Sequence, residues 1–149
     1  MIFSKPCQYA ILALTRLAAR PAGELVSIRE LSQEADVPVA FLAKVVSRLS
    51  KAGLVSARRG PGGGVVLARP PARITVAEIV EAIDGPLPAS QCILGFQTCS
   101  DTAPCPIHEG WKHVREELRR TLHSRTLADL LETQRKPAGR RVRVRPARR

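Results

Sequence analysis

Three features of the sequence predict a mainly α chain with a small β-hairpin wing, arranged as a winged helix-turn-helix followed by a long C-terminal helix. Two Ser/Thr-x-x-Glu capping boxes, Ser27 to Glu30 and Thr75 to Glu78, each open an amphipathic run. A glycine-rich tip, Gly60-Pro61-Gly62-Gly63-Gly64, separates two short β-prone segments. Near the end, Trp111, Val114, Leu118 and Leu122 recur at spacings of three and four, the period of one helix face.

Each element has a local cause. Lys5 to Ala19 reads as a helix with Ser4 as its cap, Pro6 in its tolerant first turn and Ala10, Ala13, Leu14 and Leu17 as an apolar stripe. Pro21-Ala22-Gly23 ends it. Ser27 caps a second helix, with Glu30 expected to reach back and Ile28, Leu31 and Ala35 pointing inward. Asp36-Val37-Pro38 is a turn. A third helix then runs from about Pro38 to Ala52, with Phe41, Leu42, Val45, Val46 and Leu49 as its buried face, and Gly53 suits a left-handed stop. Leu54 to Arg59 and Val65 to Ala68 are the expected strands. After Pro70-Pro71, a fourth helix buries Val76, Ile79, Val80 and Ile83 before Asp84-Gly85-Pro86 closes it. A loop spans about Leu87 to Pro106. The long helix follows, then a break at Ser124 and a short helix capped by Thr126 that holds Leu127, Leu130 and Leu131.

The 149 residues suffice for one compact domain with a helical extension. Apolar residues make up 44% but aromatics only 3%, so aliphatic side chains carry the packing. The formal net charge of +11 favours a polyanionic partner. Residues 136–149 hold seven Lys or Arg and no acid, and lack any periodicity, so a disordered basic tail is expected there. The first six residues lack a basic signal-peptide region and no small-residue cleavage site follows. No apolar run approaches the ~20 residues that span a bilayer. A cytoplasmic protein is expected, in which four cysteines read as ligands, redox groups or inert thiols rather than disulfides.

The second helix of a helix-turn-helix reads base edges in the major groove. That places Lys44, Ser47, Arg48 and Lys51 within reach of bases or phosphates, with Ala40 and Ala43 small enough for close approach. A wing would aim Arg58 and Arg59 at the minor groove or flanking phosphates. Ser27 and the tip glycines Gly60 and Gly62 complete the expected DNA-contacting set. An ordinary solvated basic face is the plainer reading of the third helix alone. The capping box, the turn, Gly53 and the Arg-Arg-Gly hairpin together shift the balance to double-stranded DNA. The tip is not a phosphate loop, because its glycines precede a strand and no Gly-Lys-Ser/Thr follows.

Cys92, Cys99, Cys105 and His108 gather in and beside the Leu87-to-Pro106 loop, the cysteines separated by six and five residues. Thiolates with one imidazole suit an iron–sulfur cluster or zinc. Zinc sites usually carry a tight Cys-x2–4-Cys pair, which is missing here, and the wide gaps suit a cluster with histidine as one ligand. The plainer reading is three unliganded loop thiols with His108 at a helix start. No nucleophile–base pair with a recognisable context and no His-Glu-x-x-His occurs, so no enzyme and no small-molecule substrate are expected.

The chain resembles the Rrf-two family of bacterial winged-helix regulators over about residues 1–132. The resemblance is carried by Leu49 to Gly64 (LSKAGLVSARRGPGGG), the triple-cysteine loop and Thr126 to Glu132 (TLADLLE). It implies a homodimer built on the helix around Trp111 to His123, binding a pseudo-palindromic operator. It implies an iron–sulfur cluster on Cys92, Cys99 and Cys105, [2Fe–2S] in preference to [4Fe–4S], with zinc as the alternative. In the family's iron–sulfur-regulator branch a histidine after the third cysteine completes the site, and His108 matches it. In the nitric-oxide-sensing branch the fourth ligand is an acid near the start of the first helix of the other subunit. Gln8 stands at that place here, beside Cys7, which offers a partner-subunit thiolate as an alternative ligand. Mid-helix, Ala43 replaces a glutamate or other polar residue common in the family, and Ala40 a common serine.

The expected organisation is a DNA-binding domain over residues 1–84, with the helix-turn-helix at about 27–52 and the wing at 54–69. A cluster-binding loop at 85–107, dimerisation helices at 108–135 and the basic tail follow. The expected function is a transcription regulator whose operator binding responds to a cluster that senses redox state, nitric oxide or iron–sulfur status. The rival is the same DNA binder with structural zinc or bare thiols, answering thiol oxidation or a protein partner.

Overall fold

A computed structural model describes residues 3–87, 92–95 and 99–135. The basic tail at residues 136–149 lies outside the described residues, as do parts of the cysteine loop. Six α-helices and one antiparallel hairpin are present among the described residues: α1 (Lys5–Ala18), α2 (Ile28–Ala35), α3 (Val39–Lys51), β1 (Val55–Arg58), β2 (Gly64–Leu67), α4 (Val76–Asp84), α5 (His108–Ser124) and α6 (Leu127–Arg135). This is the mainly α winged helix-turn-helix that the sequence predicts. None of these helices is long and apolar enough to cross a membrane.

Helix starts follow capping chemistry. Ser4 Oγ accepts from the Cys7 backbone N–H, and Ser4 is tied in turn to Asp84 at the end of α4. At Thr75 the capping box is complete, each partner bonding the other's backbone. Thr126 and Asp129 repeat that reciprocal arrangement at α6. At α2 only half of the expected box forms. Ser27 Oγ accepts from Glu30 N at 3.1 Å, but the Glu30 carboxylate turns to Arg20 at 2.6 Å instead of reaching back. Arg20 also gathers Glu24 and Glu34. A guanidinium bonding three carboxylates outcompetes one backbone N–H for Glu30.

The core is one aliphatic cluster. Leu14, Leu31, Leu42, Leu49, Leu54, Ile74, Ile79 and Leu127 are all fully buried. Each such side chain contributes about 1.5–3 kcal/mol relative to exposure. Helix α3 is pinned by Leu42, Val45, Val46 and Leu49, but Phe41 is 53% exposed, contrary to the sequence expectation. It meets α1 in an edge-on contact with Tyr9, ring centroids 6.3 Å apart. The buried stripe of α3 is thus narrower than its apolar stripe. Gly53 adopts φ +71°, the left-handed stop expected after α3.

The hairpin pairs Val55 with Leu67 and Arg58 with Gly64, and a third segment joins it. Val26, just before α2, exchanges two backbone hydrogen bonds with Val65 at 3.0 and 2.8 Å. The wing is therefore fastened to the helix-turn-helix by main chain as well as by packing. At its far end the chain folds back on itself. Val76 N–H donates to Arg125 O and Leu127 N–H to Ile74 O, both at 2.8 Å, and α6 packs on α1. Helix α5 packs on α4, burying Leu122. It leaves Trp111 and Leu118 half-buried and Val114 57% exposed.

Candidate functional site

Helix α3 and the wing enclose an open groove of about 630 Å³. Ala43, Val46, Ser47 and Ser50 line it from α3, and Ala57, Arg58, Arg59 and Gly60 from the wing. Of the sequence-predicted DNA-contacting residues, Ser47, Arg58, Arg59 and Gly60 meet in this groove. Ala40, Lys44 and Lys51 are exposed on α3 outside the lining, and Gly62 is exposed at the tip. Ser27 is exposed and caps α2, whose first residue, Ile28, also lines the groove.

Arg48 is placed differently. Its guanidinium donates to the Ile83 carbonyl at 2.9 Å, near the C-terminus of α4, where helix-end carbonyls lack partners within the helix. It ties α3 to α4 rather than joining the groove. Sequence reasoning missed Ser50, which sits one turn beyond Ser47. The helical period that selected Ser47 would have found it.

Charge is arranged to match. Lys44, Lys51, Arg58 and Arg59 have no carboxylate within 4 Å among the described residues. Arg20 and Arg69, by contrast, are neutralised by Glu24, Glu30, Glu34 and Glu78. The cations around the groove are thus available for phosphates.

The thiol site sits where the loop meets α5. His108, the first residue of α5, is only 4% exposed. Its Nδ1 lies 3.3 Å from Cys99 Sγ and its Nε2 lies 2.8 Å from Asp101 Oδ1. Lys112 Nζ, one turn along α5, donates to the same oxygen at 2.9 Å. The hydrogen bonds from His108 and then Lys112 hold the Asp101 carboxyl below its ordinary value. An ionised carboxylate only accepts, so the Nε2 nitrogen carries the hydrogen and Nδ1 turns its lone pair toward Cys99 when the ring is neutral. Metal-binding histidines are commonly held in this way, with the non-ligating N–H on a carboxylate.

Cys92, Cys99 and Cys105 are all free and half-buried. Cys105 O accepts from the His108 backbone N–H at 3.0 Å, which places it beside α5, and Cys92 O closes a turn onto Gly95 N–H at 3.2 Å. The structure brings Cys99 and His108 together but does not draw all four predicted ligands to one point. Among the described residues, the group whose ligand atoms lie within 4.8 Å of one another is Asp101, His108 and Glu109. Three soft thiols on the loop and the imidazole at the start of α5 are, by donor type, a set that would suit an iron–sulfur group. Asp101 and Lys112 were not found from sequence. An aspartate seven residues before a histidine carries no periodic signal.

Cys7, the alternative ligand to a partner subunit, is placed in the core. It is 0% exposed in the core of α1, and burial, then the nearby Asp84 charge, pushes its thiol up to about 12. It is a small packed side chain.

Comparison with known proteins places the chain in a family. The profile of the Rrf2 family, described as an iron-dependent transcriptional regulator, matches residues 3–133. A putative helix-turn-helix transcriptional regulator of Aquifex aeolicus is 35% identical over 91% of this chain and 95% of its own length. The transcriptional regulator IscR of Xenorhabdus nematophila is 34% identical over 85% of this chain and 77% of its own length. Among solved structures, CymR, the global cysteine regulator of B. subtilis, superposes with a TM-score of 0.75 at 27% identity, covering 87% of this chain and 95% of that one. These are regulators, not enzymes, and the chain belongs to the Rrf2 family of DNA-binding transcriptional regulators.

Proposed function

We propose that the protein is a homodimeric regulator whose operator binding is set by an iron–sulfur cluster held by Cys92, Cys99, Cys105 and His108. The observation that carries this reading is the buried His108, with Asp101 on its Nε2 and the Cys99 thiol facing its Nδ1. The similarity to an IscR supports it. When bound, the cluster supplies a centre that oxidants or nitric oxide can alter.

The protein's own residues do the rest. Ser47, Arg58 and Arg59 face DNA from the groove, while Lys44 and Lys51 flank it. Two copies join along the apolar edge of Trp111, Val114 and Leu118 on α5, placing two α3 helices about 34 Å apart or a multiple of it. The thiol loop leaves the end of α4, where Arg48 ties α3 to the Ile83 carbonyl. A change in the loop therefore bears on the element that holds α3. A shift of a few kcal/mol between two arrangements suffices to switch occupancy.

A second reading keeps the DNA binder but gives the loop zinc or bare thiols. The structural likeness to CymR, a cysteine regulator, and the absence of a disulfide at the three loop thiols among the described residues favour it. Anaerobic purification followed by a visible spectrum and iron, sulfide and zinc analysis separates the readings. Brown protein with matched iron and sulfide is expected. Colourless protein with zinc, or with no metal, would replace the cluster reading by the second one.

A further inference from the structure

Asp101 has an exposed side chain, 70% accessible, yet one of its oxygens is fixed between two groups of α5. It accepts from His108 Nε2 at 2.8 Å and from Lys112 Nζ at 2.9 Å. His108 and Lys112 are one helical turn apart, so α5 presents both donors on one face. The ring between Asp101 and Cys99 is thereby fixed in orientation, and the choice of nitrogen that bears hydrogen is fixed with it.

We propose that Asp101, braced by Lys112, is a positioning residue that holds His108 with its Nδ1 lone pair aimed at the cysteine loop, ready to ligate. The proposal rests on the cluster reading above. Asp101 accepts from His108 Nε2, on the side of the ring away from Cys99. It therefore acts through His108. A carboxylate in this place both selects the tautomer and strengthens the opposite nitrogen as a donor to metal. Lys112 holds the carboxylate on the ring side, so Lys112→Ala gives the same change at smaller size.

The test uses the full-length protein in two states. In the metal-free protein at alkaline pH, the ring nitrogen-15 shifts of His108 are expected to report hydrogen on Nε2. Asp101→Asn, whose amide can turn its own N–H toward the ring, moves hydrogen to Nδ1, and Asp101→Glu restores part of the native signal. In the anaerobically loaded protein, Asp101→Asn retains the cluster about 10- to 100-fold less well against a chelator. Adding Asp101→Asn to His108→Ala costs nothing further, because the residue acts only through that ring. An unchanged tautomer in Asp101→Asn, or a full additional loss on top of His108→Ala, would overturn the proposal. Wild-type protein that acquires neither iron nor sulfide would instead overturn the cluster reading, and the tautomer measurement on metal-free protein would keep the two failures apart.

Discussion

Between Leu54 and Leu67 nearly every structural demand is met by the chain's own backbone. Between Leu87 and His108 the described residues depend on a few side chains. In the first region the hairpin ladder, the Val26–Val65 exchange and the Gly63 N–H to Gly60 O bond at 2.9 Å fix the wing without help from any partner. In the second, the described contacts include single turns, a Ser100–Thr102 hydroxyl pair and the Cys99–His108–Asp101–Lys112 chain, and three half-buried thiols have no disulfide. A DNA reader gains from being preorganised, because ordering it on binding would cost affinity. A sensor gains from the opposite, because only a segment that its ligand helps to organise can report the ligand's loss.

That contrast breaks most severely at the thiols. Alanine at Cys92, Cys99 or Cys105 is expected to abolish the iron–sulfur absorbance while leaving the helical circular dichroism and the melting temperature of metal-free protein nearly unchanged. Cys7→Ala, in contrast, should spare the absorbance and lower stability, since it hollows a fully buried site. If colour and iron survive all three loop variants, the ligand assignment is wrong.

The next largest effect lies in the wing. A Cβ on Gly64 would stand 2.6 Å from the Val26 carbonyl oxygen, and one on Gly63 2.3 Å from that of Arg58. Both obstacles are backbone and cannot swing aside. Gly64→Ala should pull the wing off Val26, weaken DNA binding more than 10-fold and lower stability by about 1–3 kcal/mol, leaving metal content intact. Binding titrations and thermal melts on the same preparation check it.

Smaller losses are expected where the groove's cations meet phosphate. Arg58→Ala or Lys44→Ala should weaken binding similarly across DNA sequences and reduce the slope of log affinity against log salt by about 1. Arg48→Ala should behave differently. It frees the Ile83 carbonyl, so stability should fall by about 1 kcal/mol, with little change in salt slope. An equal drop in slope for Arg48 would return it to the DNA face.

The smallest effect concerns the caps. Thr75→Ala should cost about 1 kcal/mol in chemical denaturation. For Glu78, burial acts upward, but the Thr75 backbone N–H, Arg69 and the Thr75 hydroxyl bring its carboxyl below the usual 4.5. Asp129 is likewise held below 3.8, chiefly by the Thr126 backbone N–H. An acid with a lowered folded value stabilises fully above its unfolded value and loses that contribution as pH falls through the folded one. The melting temperature should therefore be flat near neutrality and fall below about pH 4.5. Thr75→Ala should flatten part of that fall.

What could be read from sequence was local. Ser4, Thr75 and Gly53 act within one turn of where they stand, and their spacing gives them away. Phe41 could not be placed, because periodicity shows that a face is apolar but not how far the neighbouring helix extends over it. Glu30 satisfied the capping pattern and was drawn off by Arg20, ten residues earlier. Arg48 looked like its neighbours until α4 was brought beside it. In the thiol loop, residue types raise the expectation of metal chemistry. The partner that orients His108 could not be foreseen, since Asp101 meets the ring only through the path of an irregular loop.

In the proposed function the state of the thiol loop sets DNA occupancy at the groove. The direct measurement is DNA affinity of one anaerobic preparation before and after cluster removal, on fragments selected from the source genome with the loaded protein. A change of at least about 10-fold, equivalent to about 1.4 kcal/mol, is expected, and Cys99→Ala should abolish it. Equal affinities in both states, at the same salt, would contradict it.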